Sequence, residues 1–102
     1  MELDEYDVIV SEDALSMLDK HARFLANVSI SEAQNFINQT LSDIESLKTL
    51  PERCPFYENQ FIPSNRYRML LSGKRYLILY EVSINCVYID YIIDCRQDYT
   101  KR

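Results

Sequence analysis

The strongest constraint on the fold of this chain is a run of apolar residues at helical spacing in its first third. Leu15, Leu18, Ala22 and Leu25 recur every three or four residues, which predicts a helix over residues 12–27. A serine followed by two acidic residues at its start suits a capped helix N-terminus. A helix with such a stripe must bury it against a second element.

A second helix is predicted immediately afterwards. Ser29 and Glu32 form an S-x-x-E capping box at its start, and Pro51 stops it near Leu50. The apolar stripe of this helix consists of Ala33, Phe36, Ile37, Leu41, Ile44 and Leu47. Because its opposite face is polar, the two helices form a hairpin with one face suited to packing on another layer.

Strand-like segments lie on both sides of this helical hairpin. Residues 5–10 (EYDVIV) alternate in polarity and predict a short first strand. Residues 51–65 contain all three prolines and no helical period, which is typical of a loop. Three further strands are predicted at about residues 66–72, 75–82 and 86–93, at the spacing of hairpins.

The predicted order of elements is β-α-α-β-β-β, in a single domain that spans residues 1–102. An α+β fold, in which an antiparallel sheet packs against the N-terminal helical hairpin, buries one core with these elements. The first strand would pair along one edge of that sheet.

The charge of the chain is divided unevenly between its halves. The net charge is −5, which argues against a general nucleic-acid-binding protein. Residues 1–50 hold 3 basic and 10 acidic residues, a net charge of −7, whereas residues 51–102 hold 8 and 6, a net charge of +2. An anionic ligand would therefore have to bind the C-terminal half.

The sequence indicates neither a metal site nor a cofactor. Cys54, Cys86 and Cys95 form no CxxC pair, and His21 is the one histidine, so we expect reduced thiols and no structural zinc. No apolar run approaches the roughly 18–20 residues of a membrane span. The acidic N-terminus is unlike a signal peptide. We therefore expect a cytoplasmic protein without a membrane partner.

Positive charge is concentrated in residues 66–82, RYRMLLSGKRYLILYEV. Because side chains alternate along a strand, Arg66 and Arg68 are expected to point together, away from Met69. With Lys74 in the following turn, they predict a functional basic face. The alternative is that the two arginines simply solvate an exposed sheet surface.

Three stretches carry a resemblance to a known family: DIESLKTLPERCPFY at residues 43–57, RYRMLLSGKRYLILYEV, and VYIDYIIDCRQDY at residues 87–99. In these stretches and in its order of elements, the chain resembles the RelE/ParE superfamily of toxins from type II toxin–antitoxin systems, and the ParE-like branch in particular. The resemblance covers nearly the whole chain. The chain departs from the family pattern at Cys54, where a small residue is frequent, and at Asp94 and Cys95, where a histidine and a glycine are usual.

RelE-like members of this family cleave messenger RNA on the ribosome by activating a 2′-hydroxyl against the adjacent phosphate. That reaction needs cations and groups that take and give a proton. The resemblance implies catalytic roles for Arg68, Arg75, Arg96 and Tyr99 if the chain is an endoribonuclease. Two further positions that carry cations in the family are leucines here, so the set is incomplete.

ParE-like members instead inhibit DNA gyrase and need no catalytic set. The incomplete set of nuclease residues and the closer similarity of the motifs favour this branch. We therefore expect a toxin that arrests growth by inhibiting gyrase. A ribosome-dependent mRNA endoribonuclease is the first alternative. A divergent binding module that has lost toxicity is the second.

The resemblance also implies a protein partner, a cognate antitoxin that wraps around the toxin. Apolar helix surface left over after core packing would form a groove for an antitoxin helix. We expect antitoxin contacts at Leu15, Leu18, Ala22 and Leu25, and along the exposed edges of the sheet.

Overall fold

Both predicted helices are present, and both begin at their capping serines. The computed structural model describes residues 5–95. The Ser11 hydroxyl accepts a hydrogen bond from the backbone N–H of Ala14 (3.0 Å), and the Ser29 hydroxyl accepts one from Glu32 (3.2 Å). Each bond satisfies an N–H group that would otherwise be unpaired at a helix start.

The order of elements is the predicted β-α-α-β-β-β. In chain order they are β1 (Asp7–Val10), α1 (Glu12–Ala26), α2 (Ile30–Ser46), one turn of 3₁₀-helix (Pro51–Arg53), β2 (Arg68–Ser72), β3 (Tyr76–Val82) and β4 (Cys86–Asp94). Within the described part of the chain, neither helix combines the length and the apolar character needed to cross a membrane.

The second helix ends at Ser46 rather than near Leu50. Because Pro51 disfavours helical backbone at the preceding residue, Leu50 instead adopts a left-handed conformation with φ of +48°. Nη1 of Arg53 then donates hydrogen bonds to the carbonyl groups of Ser46 (3.3 Å), Thr49 (2.9 Å) and Leu50 (3.2 Å). These bonds bring a charged donor to the carbonyl groups at and just beyond the end of α2.

The four strands form one sheet in the order β1-β4-β3-β2. The antiparallel pairing of β2 with β3 and of β3 with β4 is confirmed, as is the edge position of β1. The prediction of an antiparallel sheet is wrong for β1. This strand pairs with β4 in parallel, with Asp7 opposite Cys86 and Val10 opposite Ile89.

The path of the helices explains this parallel pair. α1 continues in the direction of β1, since Met17 and His21 form hydrogen bonds with the backbone of Ile92, near the far end of β4. α2 then returns the chain to the start of β1, where the Lys48 carbonyl accepts a hydrogen bond from the Tyr6 N–H (2.9 Å). β2 therefore starts at the same end of the sheet as β1, and β4, two antiparallel steps later, runs the same way.

The helices cover one face of the sheet, and the core lies between the two layers. The buried side chains of this core include Ala14, Leu25, Ala33, Phe36, Ile44 and Leu47 from the helices, and Ile78, Tyr80, Val87, Ile89 and Ile92 from the sheet. We refer to the opposite side of the sheet, where Ile9, Leu71 and Tyr88 are exposed, as the open face.

Candidate functional site

Arg66 and Arg68 do not share a face of the sheet. Arg68 lies opposite Tyr80 in the register of β2 and β3, on the side that the helices cover. The Nε atom of Arg66 donates a hydrogen bond to Glu81 Oε2 (2.8 Å), and the side chain of Glu81, the residue after Tyr80, points to the open face. The predicted common basic face is therefore wrong, because Arg66 precedes β2 and does not follow its alternation.

Arg68 fastens a loop segment to the edge of the sheet. Its guanidinium group donates hydrogen bonds to the carbonyl groups of Cys54 (2.6 Å) and Glu52 (3.2 Å). The same group lies over the ring of Phe56, 4.0 Å from the ring centroid, in a cation–π contact. The charge of Arg68 is thus engaged by the protein's own backbone and aromatic surface.

Replacing Arg68 by methionine is expected to lower the free energy of unfolding by about 1–3 kcal/mol, because backbone carbonyl groups lose charged donors. Arg66→Met is the matched control. The side chains of Arg66 and its partner Glu81 are 48% and 34% exposed, and an ion pair between exposed groups contributes little to stability. Urea denaturation followed by circular dichroism measures both variants. Equal losses in the two proteins would contradict the fastening role of Arg68.

Tyr67, between these two arginines, lies across the open face. Its hydroxyl donates a hydrogen bond to Asp90 Oδ2 (2.9 Å), and its ring meets that of Tyr91 edge to face, with centroids 5.6 Å apart. Burial, followed by the hydrogen bond to Asp90, raises the pKa of Tyr67 from 10.0 to about 12. The neutral phenol therefore fastens β4 to the start of β2.

The raised pKa of Tyr67 predicts a loss of stability at alkaline pH. Below pH 10 the phenol is neutral in both the folded and the unfolded chain. As the pH rises from 10 toward 12, the unfolded phenol ionises first, which favours unfolding. From about pH 9 to about pH 11.5, the urea midpoint of the wild-type protein should fall further than that of Tyr67→Phe. Parallel declines would contradict this assignment.

Lys74 and Arg75 lie at the turn between β2 and β3. Lys74 is exposed and has a φ of +71°, beside Gly73 with a φ of +62°. The guanidinium carbon of Arg75 is 5.2 Å from the centroid of the Tyr76 ring, and its Nε atom is buried. The two neighbouring cations thus differ: Lys74 is open to solvent, whereas Arg75 is partly enclosed by the protein.

The predicted nuclease residues are not gathered at one point. Arg68 is the first residue of β2, whereas Arg75 follows the turn at the other end of that strand, so their backbones are about 15 Å apart at strand spacing. Leu70, at a position where the family has a cation, packs against the core. Arg96 and Tyr99 lie outside the described residues.

The four predicted antitoxin contacts on α1 differ in their exposure. Leu15 is 50% exposed, whereas Leu18 and Ala22 are partly buried against the core and Leu25 is buried. Leu25 is 7% exposed and packs mainly in the protein's own core, so it offers little surface to an antitoxin helix and its prediction as an antitoxin contact is wrong. The three- and four-residue spacing on which this prediction was based is largely that of an apolar stripe that packs against the sheet.

An apolar surface around the α1–α2 turn was missed from the sequence. Phe24, Val28 and Ile30 are 58%, 77% and 69% exposed. All three lie outside the apolar stripes of the two helices. An apolar residue at a position away from the stripe is the feature of the sequence that could have predicted this surface. A partner could reach this surface, and also Leu15 on α1 and Leu41 on α2, each of which is 50% exposed.

No metal-ion cluster is formed within residues 5–95, where no three histidine, cysteine, aspartate or glutamate side chains are suitably grouped. A cavity of about 220 Å³ lies between α2 and the β2–β3 turn, and Arg75 contributes to its lining. A guanidinium cation suits an anionic group rather than a metal ion.

No protein-family model and no curated protein matches the sequence of this chain. Among solved structures, the fold is similar to that of a chain described as "Chromosomal ParDE TA system from P. aeruginosa", with a TM-score of 0.72 over 90% of this chain and 98% of that chain. The two sequences are 12% identical, so the likeness is one of fold. The predicted RelE/ParE-like α+β fold is thereby confirmed.

Proposed function

We propose that this chain is the toxin of a type II toxin–antitoxin system, which arrests growth in the cytoplasm unless a cognate antitoxin is bound. Two observations support the proposal. The fold is similar over 90% of the chain to a protein of a ParDE system, and the motifs at residues 43–57, 66–82 and 87–99 resemble those of the RelE/ParE superfamily.

Within that role, we propose DNA gyrase as the target, inhibited in the manner of the ParE-like branch. The observation that carries this choice is the engagement of Arg68. A nuclease must place cations around the phosphate that gains charge in the transition state. Arg68 is bound to two backbone carbonyl groups, and the backbone of Arg75 lies about 15 Å away along the hairpin, so acting on one phosphate would require Arg68 to leave these contacts. A toxin that binds a protein target has no such requirement.

Inducible expression in a bacterial host, with and without the neighbouring open reading frame, tests the toxin role. We expect growth arrest when the chain is expressed alone and normal growth when both proteins are made. The matched control is Tyr80→Ala, a core truncation expected to destabilise the fold, which at equal expression separates arrest by the folded chain from a general burden of expression. Unimpaired growth with soluble, folded protein would instead favour the non-toxic binding module.

Two target assays on the same protein separate gyrase from messenger RNA. Purified chain added to gyrase and plasmid should block supercoiling and accumulate cleaved DNA. Primer extension on transcripts from arrested cells should show no new ends. Transcript cleavage at ribosomes together with unaffected gyrase would contradict the gyrase proposal and support the RelE-like nuclease.

A further inference from the structure

The cavity between α2 and the β2–β3 turn has the make-up of a small-molecule site. It has a volume of about 220 Å³ and opens partly to solvent. Its lining includes the apolar or aromatic side chains of Leu25, Phe36 and Tyr76 and the polar side chains of Thr40, Ser72 and Arg75. Glu32, Asn35, Gln39 and Gly73 complete the lining, so polar groups outnumber the apolar ones, and the cavity suits a polar ligand that contacts a small apolar patch.

Two buried polar atoms of this lining have no hydrogen-bond partner among the described residues. They are Oγ1 of Thr40 and Nε of Arg75. Thr40 is completely buried, although a helical threonine usually bonds the carbonyl group three or four residues earlier. An unpaired buried polar group costs free energy, so two of them in one cavity indicate that a water molecule or a ligand group pairs them there.

The two atoms define the chemistry of that group. The Nε–H of an arginine can only donate a hydrogen bond, and a threonine hydroxyl can donate one as well. Both are satisfied together by an oxyanion, whose oxygen atoms accept several bonds, and charge-assisted bonds of this kind are the strong ones. Leu25 and Phe36 provide apolar surface for the remainder of the molecule.

Glu32 also contributes to the lining, and its charge opposes an anion. Glu32 is exposed, however, and forms no ion pair with Arg75 within residues 5–95. Solvent screens an exposed carboxylate, whereas the Nε of Arg75 is removed from water and interacts more strongly with a bound group.

We propose that this cavity binds a small organic oxyanion, a carboxylate or a phosphate monoester with a short apolar portion, through Arg75 and Thr40. This proposal does not depend on the toxin role. A small metabolite bound here would join α2 to the β2–β3 turn and stabilise the folded chain by mass action.

The test uses the full chain labelled with ¹⁵N and three probes: isobutyrate, its neutral analogue isobutyramide, and inorganic phosphate at constant ionic strength. We expect isobutyrate to shift the Nε–Hε resonance of Arg75 and the amide resonance of Gly73 in a saturable manner. Isobutyramide should bind at least about tenfold more weakly, because it lacks the charge. Saturation by phosphate but not isobutyrate would assign the site to the phosphate class within the same proposal.

Substitutions of the two unpaired groups localise the binding. Thr40→Val keeps the shape of the side chain and should weaken isobutyrate about fivefold, the effect of one hydrogen bond. Arg75→Lys keeps the charge but loses Nε, and should weaken binding about tenfold. Lys48→Met, which removes an exposed cation at the other end of α2, is the matched control and should leave the affinity unchanged.

Thermal denaturation of each variant distinguishes a loss of isobutyrate binding from a loss of the folded structure. Thr40→Val should remain folded, because it removes a hydroxyl that has no partner within residues 5–95. The proposal is overturned if no probe gives saturable shifts, which would mean that the cavity holds water only. It is equally overturned if Thr40→Val and Arg75→Lys bind isobutyrate as tightly as Lys48→Met does.

Discussion

Replacing Tyr80 by alanine is expected to lower the free energy of unfolding by about 3–5 kcal/mol, the range found for large aromatic residues truncated in a core. Tyr80 is fully buried in the middle of β3. Its hydroxyl donates a hydrogen bond to the carbonyl group of Pro51 (2.7 Å), so the truncation also leaves that oxygen unpaired. Since small domains are stable by about 5–15 kcal/mol in total, this one change removes a large share.

Urea denaturation with two companion variants divides this effect into parts. Tyr80→Phe removes only the hydrogen bond to Pro51 and should cost about 1–3 kcal/mol. Tyr88→Ala, an exposed tyrosine on the open face, should have a far smaller effect than Tyr80→Ala. Similar losses for Tyr80→Ala and Tyr88→Ala would contradict the packing described for β3.

Leu25→Ala is expected to lower the free energy of unfolding by about 2–5 kcal/mol, whereas Leu15→Ala should change it by about 0.5 kcal/mol or less. Both residues lie on α1 and both were predicted as antitoxin contacts, but Leu25 is 7% exposed and Leu15 is 50% exposed. Truncating Leu25 leaves a cavity in the core, and truncating Leu15 removes only surface. Urea denaturation measures the difference directly.

The same pair of variants tests the antitoxin surface. If the partner packs on the exposed part of α1, Leu15→Ala weakens the complex without altering stability, which titration calorimetry with the co-purified partner would detect. Unchanged affinity for Leu15→Ala would exclude this position. The exposed apolar residues at the α1–α2 turn would then be the next surface to substitute, beginning with Phe24.

Local features of the sequence were sufficient to predict where the helices begin and in what order the strands follow. Ser11 and Ser29 cap their helices through bonds to residues three positions away, so no tertiary information is needed. The direction of β1 relative to β4 could not be predicted in this way. It depends on the contact of His21 with Ile92, residues 71 positions apart in the sequence.

The candidate site was harder to predict from the sequence than the fold was. The alternation that placed Arg66 beside Arg68 applies only within a strand, and β2 starts at Arg68. A signal for the cavity was nevertheless present: Thr40 lies four residues after Phe36 and four before Ile44, on the apolar stripe of α2. A polar residue at a position that is expected to be buried indicates either a hydrogen-bond partner within the protein or a ligand-binding site.

The position of β4 affects when the protein can fold during its synthesis. β4 is the last strand within residues 5–95, yet it lies inside the sheet between β1 and β3 and supplies Val87, Ile89 and Ile92 to the core. Until β4 leaves the ribosome, β1 has no neighbouring strand and the core between the two layers is incomplete. Such long-range pairing must wait until β4 has been translated, so a nascent protein of this topology completes its core only then.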